Sequence, residues 1–128
     1  MREILFRGKR PHWESWVEGF YVHVPSGRMG TNEHLIQTVK KDGRLDILYE
    51  VYPETVGQFT GLVDKAGKRI FEGDIVSFGA NVYVVKYIEK YSRFSGTMPG
   101  IVFSGFPLAN SIVIGNIHDN PELWRTEK

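Results

Sequence analysis

Short runs of alternating apolar and polar residues recur along the chain, and glycine, proline or aspartate separates most of them. A period of two is the pattern of half-buried β-strands. No run of helical period is longer than about ten residues, so the pattern does not favour helices. It predicts strands at residues 2–10, 16–24, 35–39, 45–51, 58–63, 69–71, 75–78, 82–89, 101–106 and 112–117.

Glycines mark the expected turns between these strands. Asp42 and Gly43 lie between two extended runs, which is a hairpin signal. Gly67 is free to take the positive φ that a tight turn requires. Gly19 predicts a β-bulge inside the second strand, and residues 91–100 are expected to form a loop because they are rich in turn-forming residues.

Two single helical turns are expected at prolines. Pro53 opens the first, because proline is tolerated at the first position of a helix. The second is at the C-terminal end, where Asp119 or Asn120 would cap the turn and Pro121 would begin it. Residues 122–124 are then expected to form that turn.

The strands from Phe71 onward are short, closely spaced and separated by glycine turns, which is the pattern of a small antiparallel barrel. The segment GDIV at residues 73–76 is typical of the start of an SH3-like barrel. The predicted fold class is therefore mostly β. An N-terminal β region at residues 1–60 would be followed by an SH3-like barrel domain at residues 61–128, with a short C-terminal helical turn.

The composition is that of a folded domain and excludes several chemistries. Of 128 residues, 41% are apolar, 13% are aromatic and 24% are charged, and the formal net charge is +1. The absence of cysteine excludes disulfides, thiolate nucleophiles and cysteine-ligated metals. The near-neutral charge counts against bulk nucleic-acid binding, which depends on many Lys and Arg contacts to phosphate.

Charged residues interrupt the N-terminal sequence every few positions. It therefore lacks the apolar core of a signal peptide, and no later stretch is apolar for long enough to span a membrane. The expected location is the cytoplasm of the host cell, with no membrane partner.

Six motifs, in order along nearly the whole chain, resemble those of one family. They are REILFRGK at residues 2–9, WVEG at 16–19, PETVGQFTGL at 53–62, DKAGK at 64–68, IFEGDIV at 70–76 and IGNIHDNPE at 114–122. Together they are similar to the YopX family. The resemblance implies a protein of bacteriophages and integrated prophages, with a mostly β chain and an SH3-type C-terminal barrel. It implies no established activity and supplies no catalytic residues.

Glu72 and Asp74 are the first candidate for chemistry. On a strand they would face the same side and would suit a hard cation such as Mg²⁺. Gly73 between them instead favours a bend, in which Asp74 accepts hydrogen bonds from backbone N–H groups and Glu72 is solvated. We expect the bend and not the cation site.

The histidines do not form a recognisable site. His118 and Asp119 are adjacent, so on a strand they would point to opposite faces and would not chelate one ion. His12, His23 and His34 are scattered, and no H-x-x-H or H-E-x-x-H pattern occurs. No catalytic residue, metal or cofactor is predicted, and the protein is expected not to be an enzyme.

Two mixed clusters of basic and aromatic residues suggest nucleic-acid contacts. Small barrels bind nucleic acid by stacking bases on rings and following the phosphates with cations. The alternative is that the rings lie in the core and the cations are solvated, and the net charge of +1 favours that alternative. The residues concerned are Arg7, Lys9, Arg10, Lys86, Lys90 and Arg93.

The three tryptophans, Trp13, Trp16 and Trp124, are candidates for an interface. Tryptophan is enriched at interfaces where an amphipathic ring is half buried. Because a small chain with many edge strands protects those edges by self-association, a homo-oligomer is expected.

Three functional classes follow from these observations. The leading one is a non-enzymatic phage or prophage accessory protein that acts by binding itself or a phage or host protein. The alternative is a nucleic-acid-binding module in phage replication or regulation, whose affinity would fall steeply with salt. The third is an enzyme that uses carboxylates and histidine, which would require a pocket lined by ionisable groups.

Overall fold

The structure is a computed structural model that describes residues 4–26, 30, 32–101, 103 and 105–124. Within these residues the chain forms β-strands and short 3₁₀ helices but no α-helix, so the mostly β prediction is confirmed. The strands are β1 (Phe6–Lys9), β2 (Trp16–Val24), β3 (Glu33–Val39), β4 (Leu45–Glu50), β5 (Gly57–Val63), β6 (Arg69–Phe71), β7 (Asp74–Phe78), β8 (Asn81–Ile88), β9 (Arg93–Thr97) and β10 (Ile112–Asn116). The 3₁₀ helices span Pro53–Thr55, Glu89–Tyr91, Leu108–Asn110 and Pro121–Leu123.

The strands pair antiparallel in two sheets, with the orders β4-β3-β2-β1-β5-β6 and β10-β7-β8-β9. The chain divides into two compact units, Met1–Gln58 and Phe59–Lys128. The start of β5 pairs with β1 in the first unit, and its later part pairs with β6 in the second.

The first unit has a core on one face of its sheet. Tyr21, Ile36 and Tyr49 lie in register across β2, β3 and β4, so their side chains share that face. Ile36 is fully buried there and Val51 is 2% exposed. A Cβ on Gly8 would lie 2.8 Å from side-chain atoms of Val51, so only glycine allows this close approach.

The predicted bulge at Gly19 is wrong. Gly19 pairs with Phe6 in an unbroken register. The glycine is instead required by a neighbouring strand, because a Cβ there would collide with the backbone oxygen of Gln37. The irregularity in this part of the sheet lies between β3 and β4, at Gln37 to Val39.

The second unit has its own aromatic-rich core. Its buried centre is surrounded by partly buried apolar side chains, including Phe94, Phe103 and Phe106. The Tyr83 ring meets the Phe106 ring edge to face, with centroids 4.7 Å apart. The buried members are Ile70, Val76, Tyr83, Val85 and Leu108.

Two buried aspartates hold the turns of the second unit. Asp74 Oδ2 accepts a hydrogen bond from the Phe71 backbone N–H at 2.8 Å, and Gly73 has a φ of 93°. The predicted bend at Glu72–Asp74 is therefore confirmed, with Glu72 partly exposed. Asp64, which is 4% exposed, organises the turn between β5 and β6 in a similar way.

The described strands of the second unit do not close into a barrel. The four-stranded sheet ends at β10 on one side and at β9 on the other, and β6 pairs with β5. The small antiparallel sheets are as expected, whereas the SH3-like barrel is not confirmed.

The loop predicted at residues 91–100 is wrong, because β9 pairs with β8 throughout Arg93–Thr97. The strand expected at residues 101–106 is also not seen. Ile101 forms only an isolated bridge to Met98, and residues 103, 105 and 106 are not in a strand. Residues 102 and 104 lie outside the described residues, as do residues 2 and 3 of the first predicted strand.

The two helical turns occur as 3₁₀ helices. The first, at Pro53–Thr55, is confirmed. The second spans Pro121–Leu123, one residue earlier than predicted, and its N-cap Asn120 makes no side-chain cap. The Asn120 side chain instead accepts a hydrogen bond from the Asn116 N–H at 3.2 Å, which fixes the preceding turn.

Candidate functional site

The first unit has large apolar side chains exposed on the face opposite its core. Phe20 is paired with Gln37 and Gln37 with Leu48, so Phe20 and Leu48 share this outer face. Val39 and Leu45 pair with each other beyond the register shift between Gln37 and Val39, so they continue the exposed surface toward the β3–β4 turn. Phe20 is 51% exposed, Val39 39%, Leu45 64% and Leu48 50%. These four residues are called the outer apolar face below.

The outer apolar face reaches the end of the sheet, because among the described strands β4 has a neighbour on one side only. All but one residue of β4 are exposed. The Thr38 hydroxyl accepts a hydrogen bond from the Ile47 N–H and donates one to the Ile47 carbonyl, both at 3.0 Å. This side chain fills the gap in the β3–β4 ladder and keeps β4 in place as an exposed edge strand.

Arg10 is held between two aromatic rings of the first unit. Its guanidinium carbon lies 4.8 Å from the Trp13 ring centroid and 4.5 Å from that of Tyr49. Trp13 is 69% exposed. The stack presents Trp13 to solvent while it holds Arg10 in one place, an arrangement that suits contact with a planar or apolar partner group.

The other predicted nucleic-acid residues of the first unit are less accessible. Arg7 is only 9% exposed, and its guanidinium carbon lies 4.7 Å from the Trp16 ring centroid. Lys9 Nζ is 3.0 Å from a carboxylate oxygen of Glu14. Of the three predicted cations Arg7, Lys9 and Arg10, Arg7 is therefore a structural residue and Lys9 is already ion-paired.

The hairpin of β8 and β9 gathers basic and aromatic residues at its tip. Lys90 Nζ lies 5.6 Å and the Arg93 guanidinium carbon 5.3 Å from the Tyr91 ring centroid. Tyr87 packs edge to face with Phe94 at 5.1 Å and is 45% exposed. The tip therefore presents two cations and an exposed ring on one short segment.

The remaining predicted residues, Lys86 and Trp124, meet at a cavity of the second unit with a volume of about 560 Å³. Lys86 lies on β8, and Trp124 follows the last 3₁₀ helix. Trp124 was predicted as an interface residue, and in the structure it lines the wall of this cavity.

The His, Asp and Glu residues in the described part of the chain form no metal site. No group of three or more His, Asp or Glu side chains there is placed to hold a metal ion. His118 and Asp119 belong to a turn in which both backbone N–H groups donate to Asn116 Oδ1 at 2.9 Å. Within the same residues no helix has the length and apolar character to cross a membrane.

Sequence reasoning missed a stack of His23 and His34 in the first unit. The two residues pair across β2 and β3, and their ring centroids are 4.4 Å apart. The Tyr21 hydroxyl lies 2.6 Å from Nδ1 of His34. The register that joins them depends on strand pairing, so the separate positions of the two histidines gave no signal.

The outer apolar face was also missed, because its four members come from three strands. Phe20 and Leu48 alternate with Tyr21 and Tyr49 of the inner face, and both sets are aromatic or apolar. Only the pairing register shows which set faces the core.

These features define a small antiparallel β protein of two units with exposed aromatic and apolar surfaces. The chain belongs to the YopX family, whose model, described as YopX protein, matches residues 5–125. This confirms the resemblance seen in the sequence.

A solved structure supports the fold. The chain is similar to protein EF1440 from Enterococcus faecalis, with 22% sequence identity and a TM-score of 0.58. The match covers 98% of this chain and 100% of that one. At this identity the likeness concerns the fold alone. No curated protein matches the chain.

Proposed function

We propose that this protein is a non-enzymatic accessory module of phage or prophage origin, and that it acts by associating with a second copy through the outer apolar face. The observation that carries the proposal is the exposure of Phe20, Val39, Leu45 and Leu48 beside an edge strand. Contiguous exposed apolar side chains mark association surfaces, and an exposed edge strand offers unpaired backbone groups. The proposal includes SH3-like ancestry for the second unit, supported by its short strands and glycine turns.

The charges along β4 favour a second copy as the partner. Lys40 and Lys41 precede β4, and Glu50 ends it. Most symmetric dimers are two-fold, and a two-fold axis at an edge strand places the start of one strand against the end of its partner. Basic residues of one copy then face the acidic end of the other, which gives electrostatic complementarity without a foreign protein.

Native mass tests this proposal directly. Light scattering on a size-exclusion column is expected to give twice the monomer mass for the wild type, at both about 50 mM and about 500 mM salt, because apolar contacts are not screened. Leu48→Arg places a charge in the outer apolar face and is expected to give a monomer. Ile114→Arg is the matched control, since Ile114 is also an exposed apolar strand residue, at 41%.

The control is expected to keep the wild-type mass. A monomeric wild type at high protein concentration would overturn the proposal. So would a Leu48→Arg variant that retains the mass of the wild type.

The second candidate function is nucleic-acid binding by the β8–β9 tip. The observation that favours it is the placement of Lys90 and Arg93 around Tyr91, next to the exposed Tyr87. Cations beside exposed rings are the elements that single-strand binders use. The tip is in the second unit, so this function can be tested separately from the outer apolar face.

Fluorescence anisotropy with a labelled single-stranded oligonucleotide tests this second function. If the tip binds, the logarithm of affinity falls with the logarithm of salt, by about 0.7 for each phosphate contacted. The double variant Lys90→Glu, Arg93→Glu is expected to lose binding, whereas Lys65→Glu, on an exposed turn, is the control for added negative charge. Absence of binding at about 50 mM salt would exclude the function.

A further inference from the structure

The cavity of the second unit lies on the opposite side of the four-stranded sheet from the core. Tyr83 and Val85 of β8 belong to the core, whereas the alternate residues Val84 and Lys86 line the cavity. Ile88 also belongs to β8, and the other lining residues lie in β9, in the segment after it and near the last 3₁₀ helix. The described lining residues are Val84, Lys86, Ile88, Thr97, Met98, Pro99, Gly100, Ile101, Ile117 and Trp124.

The cavity has the size and character of a small-molecule site. Its volume of about 560 Å³ lies within the usual range for such sites, about 300–1,000 Å³. Aliphatic and thioether side chains form most of its wall. A second space of about 220 Å³ shares Val84, Thr97, Met98, Pro99 and Trp124 with it and extends toward the start of β8.

The donors of Trp124 and Thr97 are not available to an occupant of the cavity. The indole N–H of Trp124 is shielded from solvent and has no hydrogen-bond partner among the described residues. Because water would reach any donor that faced the open cavity, this N–H does not point into it. The Thr97 hydroxyl donates to the Val84 carbonyl at 2.9 Å.

Lys86 offers a positive charge to an occupant of the cavity. Its side chain is exposed at the cavity wall, and no carboxylate is among the lining residues that the structure describes. Negative charge on the occupant is therefore favoured. A long apolar body is needed to cover the aliphatic wall.

We propose that this cavity binds a small amphipathic carboxylate. The carboxylate pairs with the Lys86 ammonium group, and the Trp124 ring forms part of the apolar wall. The apolar body lies against Val84, Ile88 and Ile117. This site is independent of the outer apolar face and needs no second copy of the chain.

Isothermal titration of the full chain with decanoate tests the proposal, at concentrations below decanoate aggregation. Decanoate is expected to bind with one-to-one stoichiometry, whereas decylamine, with the same chain and opposite charge, is expected not to bind. Lys86→Gln removes the charge and keeps most of the side chain, and it is expected to weaken binding about tenfold, within the range of one charge-assisted hydrogen bond.

Lys90→Gln is the matched control, because Lys90 also lies in the β8–β9 hairpin but not at the cavity wall. It is expected to bind decanoate like the wild type. Circular dichroism of each variant establishes that it is folded. The proposal is overturned if decanoate does not bind, if decylamine binds equally well, or if the folded Lys86→Gln variant keeps wild-type affinity.

Discussion

Asp64 shows how one side chain can hold distant parts of a chain together. Its Oδ1 accepts hydrogen bonds from the backbone N–H groups of Ala66 and Lys68, and its Oδ2 accepts one from Val113. The two local bonds follow from the turn sequence, in which Gly67 supplies a φ of 90°. The bond to Val113 joins residues 49 positions apart and could not be predicted from the sequence.

Asp64→Asn is expected to destabilise the protein by about 1–3 kcal/mol at pH 7, since the amide removes the charge and one acceptor from buried donors. Burial alone would raise the pKa of Asp64, but the N–H donors of Val113, Lys68 and Ala66 and the charge of Lys68 lower it overall. A lowered folded-state pKa stabilises the protein above the unfolded-state pKa, near 3.8. That contribution is lost as the pH falls through the folded-state pKa.

Urea unfolding of the wild type and Asp64→Asn from pH 7 to pH 3 measures this effect. The difference in unfolding free energy should be constant near neutral pH and shrink below about pH 4. A difference that does not change with pH would show that the Asp64 charge contributes nothing.

Gly19 is required by packing and not by its backbone angles, because a Cβ would collide with the Gln37 backbone oxygen. Gly19→Ala is therefore expected to destabilise the protein by about 3 kcal/mol, at the upper end of overpacking costs. Gly105→Ala is the control, since a Cβ there meets nothing within 4 Å, and it should change stability by less than about 0.5 kcal/mol. Thermal unfolding of the two variants measures these effects. Equal unfolding midpoints for Gly19→Ala and Gly105→Ala would contradict the packing explanation.

The strands show where local sequence is sufficient to predict structure. β2 occupies Trp16–Val24, as the aromatic and β-branched residues predicted. β9 was missed because its sequence RFSGT has weak β propensity. Its conformation is fixed by pairing with β8, and the Phe106 ring occupies the space beside Gly96, where a Cβ would lie 2.7 Å from the ring. These are tertiary contacts, so the sequence of β9 alone does not predict its conformation.

The β3–β4 hairpin provides a prediction at the level of the element. Thr38→Val removes both hydrogen bonds to the Ile47 backbone while it preserves the shape of the side chain. The loss in stability is expected to be about 1 kcal/mol, because these groups can reach water when the hydroxyl is absent. Hydrogen exchange of the Ile47 amide should accelerate.

Thr38→Ser is the matched control, since it retains the hydroxyl and both bonds. It should exchange at nearly the wild-type rate. If the Ile47 amide exchanges at the same rate in the Thr38→Val and Thr38→Ser variants, the hydroxyl does not hold the β4 edge in place.

At the scale of the whole molecule, the class of the fold and the family could be predicted, but the candidate surface could not. Tyr21 and Ile36 face the core, whereas their apolar neighbours Phe20 and Leu35 point the opposite way. Because the residues on both faces are apolar, the sequence does not show which face is exposed to solvent. Pairing and exposure together identify Phe20 and Leu48 as surface residues.

Association through this surface makes stability depend on protein concentration. A dimer that unfolds to monomers is stabilised by mass action, so the thermal midpoint of the wild type should rise by a few degrees for each tenfold increase in concentration. Leu48→Arg should abolish the rise, and Ile114→Arg should retain it. Because the net charge is only +1, the contact is expected to rely on apolar burial.

The rise should therefore persist between about 50 mM and about 500 mM sodium chloride, where ion pairs between copies would be screened. Differential scanning calorimetry over a hundredfold concentration range measures it. A midpoint independent of concentration would exclude a dimer that is coupled to folding. A rise that disappears at high salt would instead assign the association to the basic and acidic ends of β4 and not to Phe20, Val39, Leu45 and Leu48.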